Sequence, residues 1–219
     1  MKARELKSIY REHLQAWLPG YLYRGHLLYR SPIQLLLKGF YFESSDFDQS
    51  FTVECFLQPL YVPKEHFVLS IGRRLGGKTG RWFQPHELQT SNGLNELREV
   101  LENQGLPFHA LVETPADLVT MLQADIVHGN PQRQEAIAYS MCFDPRIEAD
   151  EVRAALIELQ DMLQPDLQTP WVRAMDGRAT QLLAAFDDNP ETARRLLTSW
   201  AAHTGEALKL PQTATESLK

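Results

Sequence analysis

Cysteine is scarce in this chain: only Cys55 and Cys142 occur in 219 residues, far apart and outside any C-x-x-C spacing. That scarcity excludes a disulfide framework and a thiolate zinc site, and both residues read as small buried side chains in a reducing compartment. Excess positive charge is lacking too. The 22 Lys and Arg against 28 Asp and Glu give a formal charge of -6, which counts against general nucleic-acid binding while leaving room for a local basic patch. Long apolar runs are also absent. No stretch approaches the roughly 20 residues that span a bilayer, and the cluster Leu35-Leu36-Leu37 is broken by Lys38 and Gly39. Met1 leads into Lys2-Ala-Arg-Glu-Leu-Lys-Ser-Ile-Tyr10, a charged amphipathic opening without a secretion signal's apolar stretch. The expectation is a soluble, cytoplasmic protein without a membrane partner.

Catalytic signatures are missing as well. The seven histidines (His13, His26, His66, His86, His109, His128, His203) form neither H-E-x-x-H nor any other metal-ligand spacing, and His86-Glu87 lacks the second histidine four residues on. No G-x-S-x-G elbow occurs. Cys55 sits inside the alternating run Phe51-Thr-Val-Glu-Cys-Phe56, where packing accounts for it. No catalytic residue, metal or resident cofactor is expected.

What is present begins with Gly72-Arg-Arg-Leu-Gly-Gly77-Lys78-Thr79, which satisfies the G-x-x-x-x-G-K-[ST] phosphate-loop pattern after the strand-like run His66-Phe-Val-Leu-Ser-Ile71. A phosphate loop needs a helix starting at the Lys-Thr pair, so that backbone N–H groups and the helix dipole meet the phosphates. Here Gly80 follows Thr79, two aromatics come next, and Pro85 removes a donor. The expectation is a glycine-rich turn followed by extended chain. The alternative is ATP or GTP binding with Mg through Gly72, Gly77, Lys78 and Thr79. A second reading of the segment places Arg73, Arg74, Lys78 and Arg81 beside Trp82 and Phe83, either a solvated cation-rich loop or a combination that grips phosphate, RNA or an acidic protein surface by charge and stacking.

The period of the hydrophobic pattern changes near residue 85. Residues 3–18 are helical in spacing and stop at Pro19-Gly20. Strand-like stretches follow at Tyr21 to Tyr29, Leu35 to Glu43, Gln49 to Leu60 and His66 to Gly72, separated by turn chemistry and too close for helical crossovers, so the pairing should be antiparallel. Beyond them, Thr114-Pro115, Asn130-Pro131, Asp150-Glu151, Thr169-Pro170 and Asn189-Pro190 read as helix starts, and Phe108 to Val112 reads as a strand. The fold class is α+β: an N-terminal helix on an antiparallel sheet of four to five strands, then a mostly helical C-terminal half. Its organisation is residues 1–85, a helical subdomain at 86–210 packed on it, and a frayed tail at 211–219.

Two further features bear on partners. From Asp144 to Asp166 seven acids stand against two arginines, a net charge of -5, either a solvated helix face or a surface for a basic partner. The rings of Phe40, Tyr41, Phe42, Phe47, Phe51, Phe56 and Tyr61 exceed what one face of a small sheet needs, so some belong to a pocket or an exposed face, with Gln58 or Tyr61 as polar anchors.

The segments Lys38-Gly-Phe-Tyr-Phe42, Phe51 to Pro63 and Phe67 to Leu75 resemble a group of small uncharacterised bacterial proteins of domain-of-unknown-function type, some suspected of neutralising toxins as immunity partners. The resemblance covers roughly the first 85 residues and implies a bacterial, cytoplasmic binding protein with no established site residues. Together these readings lead to a non-catalytic protein-interaction module.

Overall fold

The alternating stretches of the first half pair in chain order into one antiparallel sheet in the computed structural model, which describes residues 2–124 and 130–211. Its strands are β1 (Tyr21–Arg24), β2 (Leu27–Arg30), β3 (Leu36–Ser44), β4 (Phe51–Pro59) and β5 (Ile71–Arg74). The register sets Tyr21 opposite Arg30, Leu28 opposite Phe40 and Cys55 opposite Arg73. Two expectations shift here. The stretch from Tyr21 to Tyr29 is a hairpin, because Gly25 takes φ 63 and turns the chain between Arg24 and Leu27. The run beginning at His66 becomes strand only at Ile71, and the Val68 N–H donates instead to Gln58 Oε1 at 3.1 Å.

Two helices cover the sheet. The helix α1 spans residues 3–17, with a π-helical stretch at Tyr10–Leu14, and it is tied to β1 where Tyr10 Oη donates to the Tyr21 carbonyl (2.9 Å) and Tyr23 Oη to the Ala3 carbonyl (2.6 Å). The helix α2 spans residues 91–110 and starts at Thr90, whose hydroxyl accepts from Gly93 N–H at 3.1 Å. Phe108 to Val112 is therefore not a strand, since Leu106–Ala110 is the last helical turn of α2. The chain reaches it through a π-helical turn at Leu101–Gly105, where the Leu106 N–H bonds the Leu101 carbonyl; the wider turn accommodates Pro107, which has no N–H to give. Leu101, Gly105 and His109, spaced at four residues, face the core together. A Cβ at Gly105 would lie 2.2 Å from Phe40 Cε1, so only glycine lets α2 sit this close to β3.

His109 is the polar centre of that core. Its Nε2 lies 3.1 Å from the Gly39 carbonyl and its Nδ1 lies 2.7 Å from Tyr21 Oη. A carbonyl only accepts, so Nε2 carries the hydrogen and Nδ1 accepts from the phenol. Lys38 Nζ, itself buried, donates to the His109 carbonyl at 3.0 Å and closes the end of α2. Burial pushes the imidazole down to about 4, with Lys38 and Arg30 adding to the effect.

This sheet unit comprises residues 2–58 and 67–111, so it extends past the change of period at residue 85; residues 59–66 and 112–211 form a helical unit. Its helices are α3 (Pro115–Ala124), α4 (Pro131–Met141), α5 (Ala149–Leu163), α6 (Pro170–Asp188) and α7 (Pro190–Ala207). All four Thr-Pro and Asn-Pro pairs open helices where the sequence leads one to expect, and all but Thr169, which makes no side-chain cap bond, are capped. Asn130 accepts from the Gln132 and Arg133 N–H groups, Asn189 from Glu191 N–H, and Asp117 from Thr114 N–H. For α5 the flanking residue is Glu148, ahead of the expected Asp150. Residues 212–219 of the expected tail, and His128, lie outside the described residues.

The last seven residues of α4, Glu135 to Met141, are all buried, which makes it the central rod of its unit. Glu135 is the one charged residue among them. Its Oε1 accepts from Arg178 Nε (3.0 Å) and Nη2 (2.6 Å), and its Oε2 lies 3.6 Å from Lys64 Nζ. From the same 59–66 segment, Tyr61 places its hydroxyl 2.5 Å from Ser140 Oγ and its ring 5.1 Å from that of Phe143.

Two measurements check this account. The folded His109 has its pKa below the ordinary 6.5, so its contribution is fully present above that value and is lost as pH falls towards 4; denaturant titrations should show about 3 kcal/mol of stability lost across the window, and His109→Gln should flatten that slope. Arg178→Met leaves the Glu135 carboxylate buried with only Lys64, at 3.6 Å, as cation, and equilibrium unfolding should register a loss of about 3–5 kcal/mol, against under about 1 kcal/mol for Lys64→Met.

Candidate functional site

Serines and aspartates at the tip of the β3–β4 hairpin do more than turn the chain. The Ser45 N–H bonds the Ser50 carbonyl at 2.9 Å, and the Ser45 hydroxyl accepts from the N–H groups of Phe47 (3.1 Å) and Asp48 (3.3 Å). Asp48 accepts from the Ser50 N–H at 2.8 Å and from the Ser50 hydroxyl, and its other oxygen takes Gln84 Nε2 at 3.2 Å. The Ser50 bonds hold the Asp48 carboxyl down to about 2. On this braced loop the Phe47 side chain is 100% exposed. Of the other rings of the aromatic stretch, Phe40, Phe42, Phe51, Phe56 and Tyr61 are fully buried and Tyr41 is half-buried.

Next to the tip runs the glycine-rich segment. After β5 the Leu75 N–H bonds the Val53 carbonyl (2.8 Å) and the Arg81 N–H bonds the Leu75 carbonyl (2.7 Å), closing residues 75–81 into a turn. Gly76 takes φ 90, and a Cβ there would meet Arg81 Cβ at 2.3 Å. Beyond the turn the chain is extended, and Phe83 exchanges both backbone hydrogen bonds with Phe51 (2.8 and 2.9 Å) while their rings stack at 5.5 Å. No helix starts at Lys78 or Thr79, so Gly72, Gly77, Lys78 and Thr79 have no helix N-terminus to offer a phosphate.

The cations named from the sequence are brought to this edge and are largely matched from within. Arg74 pairs with Glu43 at 2.8 Å and lies over the Trp82 ring at 5.7 Å. Arg81 pairs with Glu87 (2.9 Å) and Glu96 (3.2 Å), donates to the Trp82 carbonyl and lies over Phe83 at 5.0 Å. Glu87 is held below the ordinary carboxylate range, first by the Gln84 N–H at 2.6 Å and then by Arg81. Arg73 donates to the Gln104 carbonyl (3.2 Å) and lies over Phe108 at 5.4 Å, and the Gln104 side chain accepts from Gly76 N–H at 2.9 Å. Lys78 is exposed on the turn, and Trp82 is exposed to 36%.

Several of the other sequence candidates make contacts within their own unit. Gln58 is buried and serves Val68, and Tyr61 serves Ser140, so neither anchors a pocket. In the acidic stretch Asp144 pairs with Arg146 (2.8 Å) and Asp150 with Arg153 (2.9 Å), Glu158 accepts from Gln134 (3.0 Å), and Glu148, Glu151 and Asp161 are solvated. Burial raises the Cys55 thiol to about 11 and the Cys142 thiol to about 12, which removes them as nucleophiles at neutral pH. Among the described residues no group of three or more His, Cys, Asp or Glu is placed to hold a metal ion, and no helix is long and apolar enough to cross a membrane.

Sequence reasoning counted Phe47 among the aromatic excess without singling it out. The available signal was its position: a ring between two aspartates, inside the turn chemistry Ser44-Ser45 to Ser50. No protein-family model, curated protein or solved structure matches the chain.

The turn itself is testable. Gly76→Ala forces a side chain into the left-handed region against Arg81, and thermal unfolding should report a loss of about 1–3 kcal/mol, whereas Lys78→Ala on the exposed part of the same turn should change stability by less than about 0.5 kcal/mol.

Proposed function

We propose that this protein is a non-catalytic interaction module that docks a partner protein through the edge formed by the β3–β4 tip and residues 73–84. One observation carries the reading: the Phe47 and Trp82 side chains stand exposed on backbone braced from within, while the guanidiniums around Trp82 are already matched. An anion site keeps its cations available for the ligand, and this edge assigns two of its arginines to Glu43, Glu87 and Glu96. Rigid aromatic side chains with a polar surround are what interface hot spots are made of, because they supply apolar area at little cost in ordering. The inert thiols and the sequestered His109 imidazole support a role without covalent or acid–base chemistry. The form of this function that the N-terminal resemblance implies is neutralisation of a partner protein within the cytoplasm, as immunity proteins do.

The test places a photo-crosslinking phenylalanine analogue at position 82, at position 47, or at the exposed Ile157 of the helical unit as control. Adducts to one partner protein from the edge positions, competed by excess unlabelled chain and absent from position 157, support the reading. Silence from both edge positions, or equal labelling from all three, overturns it. Calorimetric titration with ATP and GTP should give no heat for the wild type or for Lys78→Ala; binding by the wild type that Lys78→Ala abolishes would replace this function with the nucleotide one.

A further inference from the structure

Resting on the interface reading above, we propose that the β3–β4 tip is an acidic aromatic finger that inserts Phe47 into an apolar pocket of the partner protein, a pocket rimmed by lysine or arginine side chains. A large ring left wholly in water forgoes the gain in free energy that covering its apolar surface would bring, and here nothing in the sheet unit covers it. The loop's own hydrogen bonds keep it that way. Ser45 bonds both the Phe47 and Asp48 N–H groups, Asp48 binds Ser50, and Gln84 reaches across to Asp48, so the ring is presented on a fixed backbone. Such bracing removes most of the ordering cost that a mobile loop would bring to a complex.

The chemistry of the pocket follows from the neighbours of the ring. Asp46 and Asp48 flank it on the chain and both are exposed. Asp48 keeps its negative charge throughout the physiological range, because the Ser50 hydroxyl and N–H stabilise the carboxylate. A partner that buries Phe47 must therefore meet these two charges at its rim, and Lys or Arg there satisfies them and steers the approach. The same charges disfavour a bilayer, whose anionic headgroups repel carboxylates at the depth where an aromatic anchor sits.

The experiment uses the full chain with the photo-crosslinking analogue at position 47, and the adduct is mapped by mass spectrometry. The expected result is one adduct site on the partner, at apolar residues with Lys or Arg beside them. In binding measurements with that partner, Phe47→Ser should weaken affinity by about 30-fold or more, the loss expected of a hot-spot anchor. Asp46→Lys should slow association by about tenfold at low salt, with the difference shrinking at high salt. Both positions are exposed, so circular dichroism should match the wild type. Adducts from position 47 confined to lipid or to a second copy of this chain overturn the proposal, as does unchanged affinity in Phe47→Ser. Adducts from position 82 with none from position 47 sink the finger while the edge still stands as the docking surface; silence at both sinks the interface reading itself.

Discussion

The sheet unit depends on how closely α2 approaches β3. Gly105 admits the Phe40 ring where any larger residue would hold the helix off, and the neutral His109 one turn later bonds the Gly39 carbonyl and the Tyr21 hydroxyl at once. These contacts join β1, β3 and α2 through one side chain. A charged imidazole would lose its acceptor role towards Tyr21 and bring a positive charge beside Lys38, so the packing and the protonation state are set together.

From that core the proposed edge gains its rigidity. Gln104, in the π-helical turn of α2, accepts from both the glycine turn and Arg73, and Glu96 of the same helix holds Arg81. The turn is thus fixed from the helix side, while Phe83 pairs it to β4 and Gln84 links it to the hairpin tip. Arg73, Arg74 and Arg81, grouped by the sequence as a cationic cluster, each meet a partner within the sheet unit. Exposed ion pairs of this sort contribute little stability one by one; together with the backbone pairs they keep a short glycine-rich segment in a single shape.

Much of the architecture was legible because it depends on local chemistry. Proline after threonine or asparagine started helices where expected, and alternating aromatics gave the strands in order. The turn and extended chain that stand where a phosphate loop would start a helix were legible from Gly80 and Pro85, which act on the adjacent backbone alone. What escaped was settled by distant partners. Phe108 to Val112 carries strand-forming residues, yet the need to seat His109 against β3 makes the stretch through Ala110 helical, an instance of tertiary packing overriding propensity. Glu135 gave no sign of lying buried, since its partners Lys64 and Arg178 are far away in the chain. Of the proposed edge, Trp82 and the cations were legible as a cluster, whereas whether a ring in the aromatic stretch faces the core or water depends on which residues the hairpin tip sets aside.

The path of the polypeptide has a consequence for how the molecule is made. The chain leaves the sheet unit after Gln58, returns after His66 and leaves it again after Leu111. Tyr61 and Lys64 therefore emerge during synthesis well before Ser140, Phe143 and Glu135, the groups they meet in the finished helical unit. Their final surroundings cannot exist until α4 has been made, so a nascent chain carries this excursion unsatisfied while β4 and β5 on either side of it can already pair. For the same reason no single cut yields the helical unit whole: a fragment beginning at Val112 lacks the phenol that meets Ser140 and the ammonium beside Glu135.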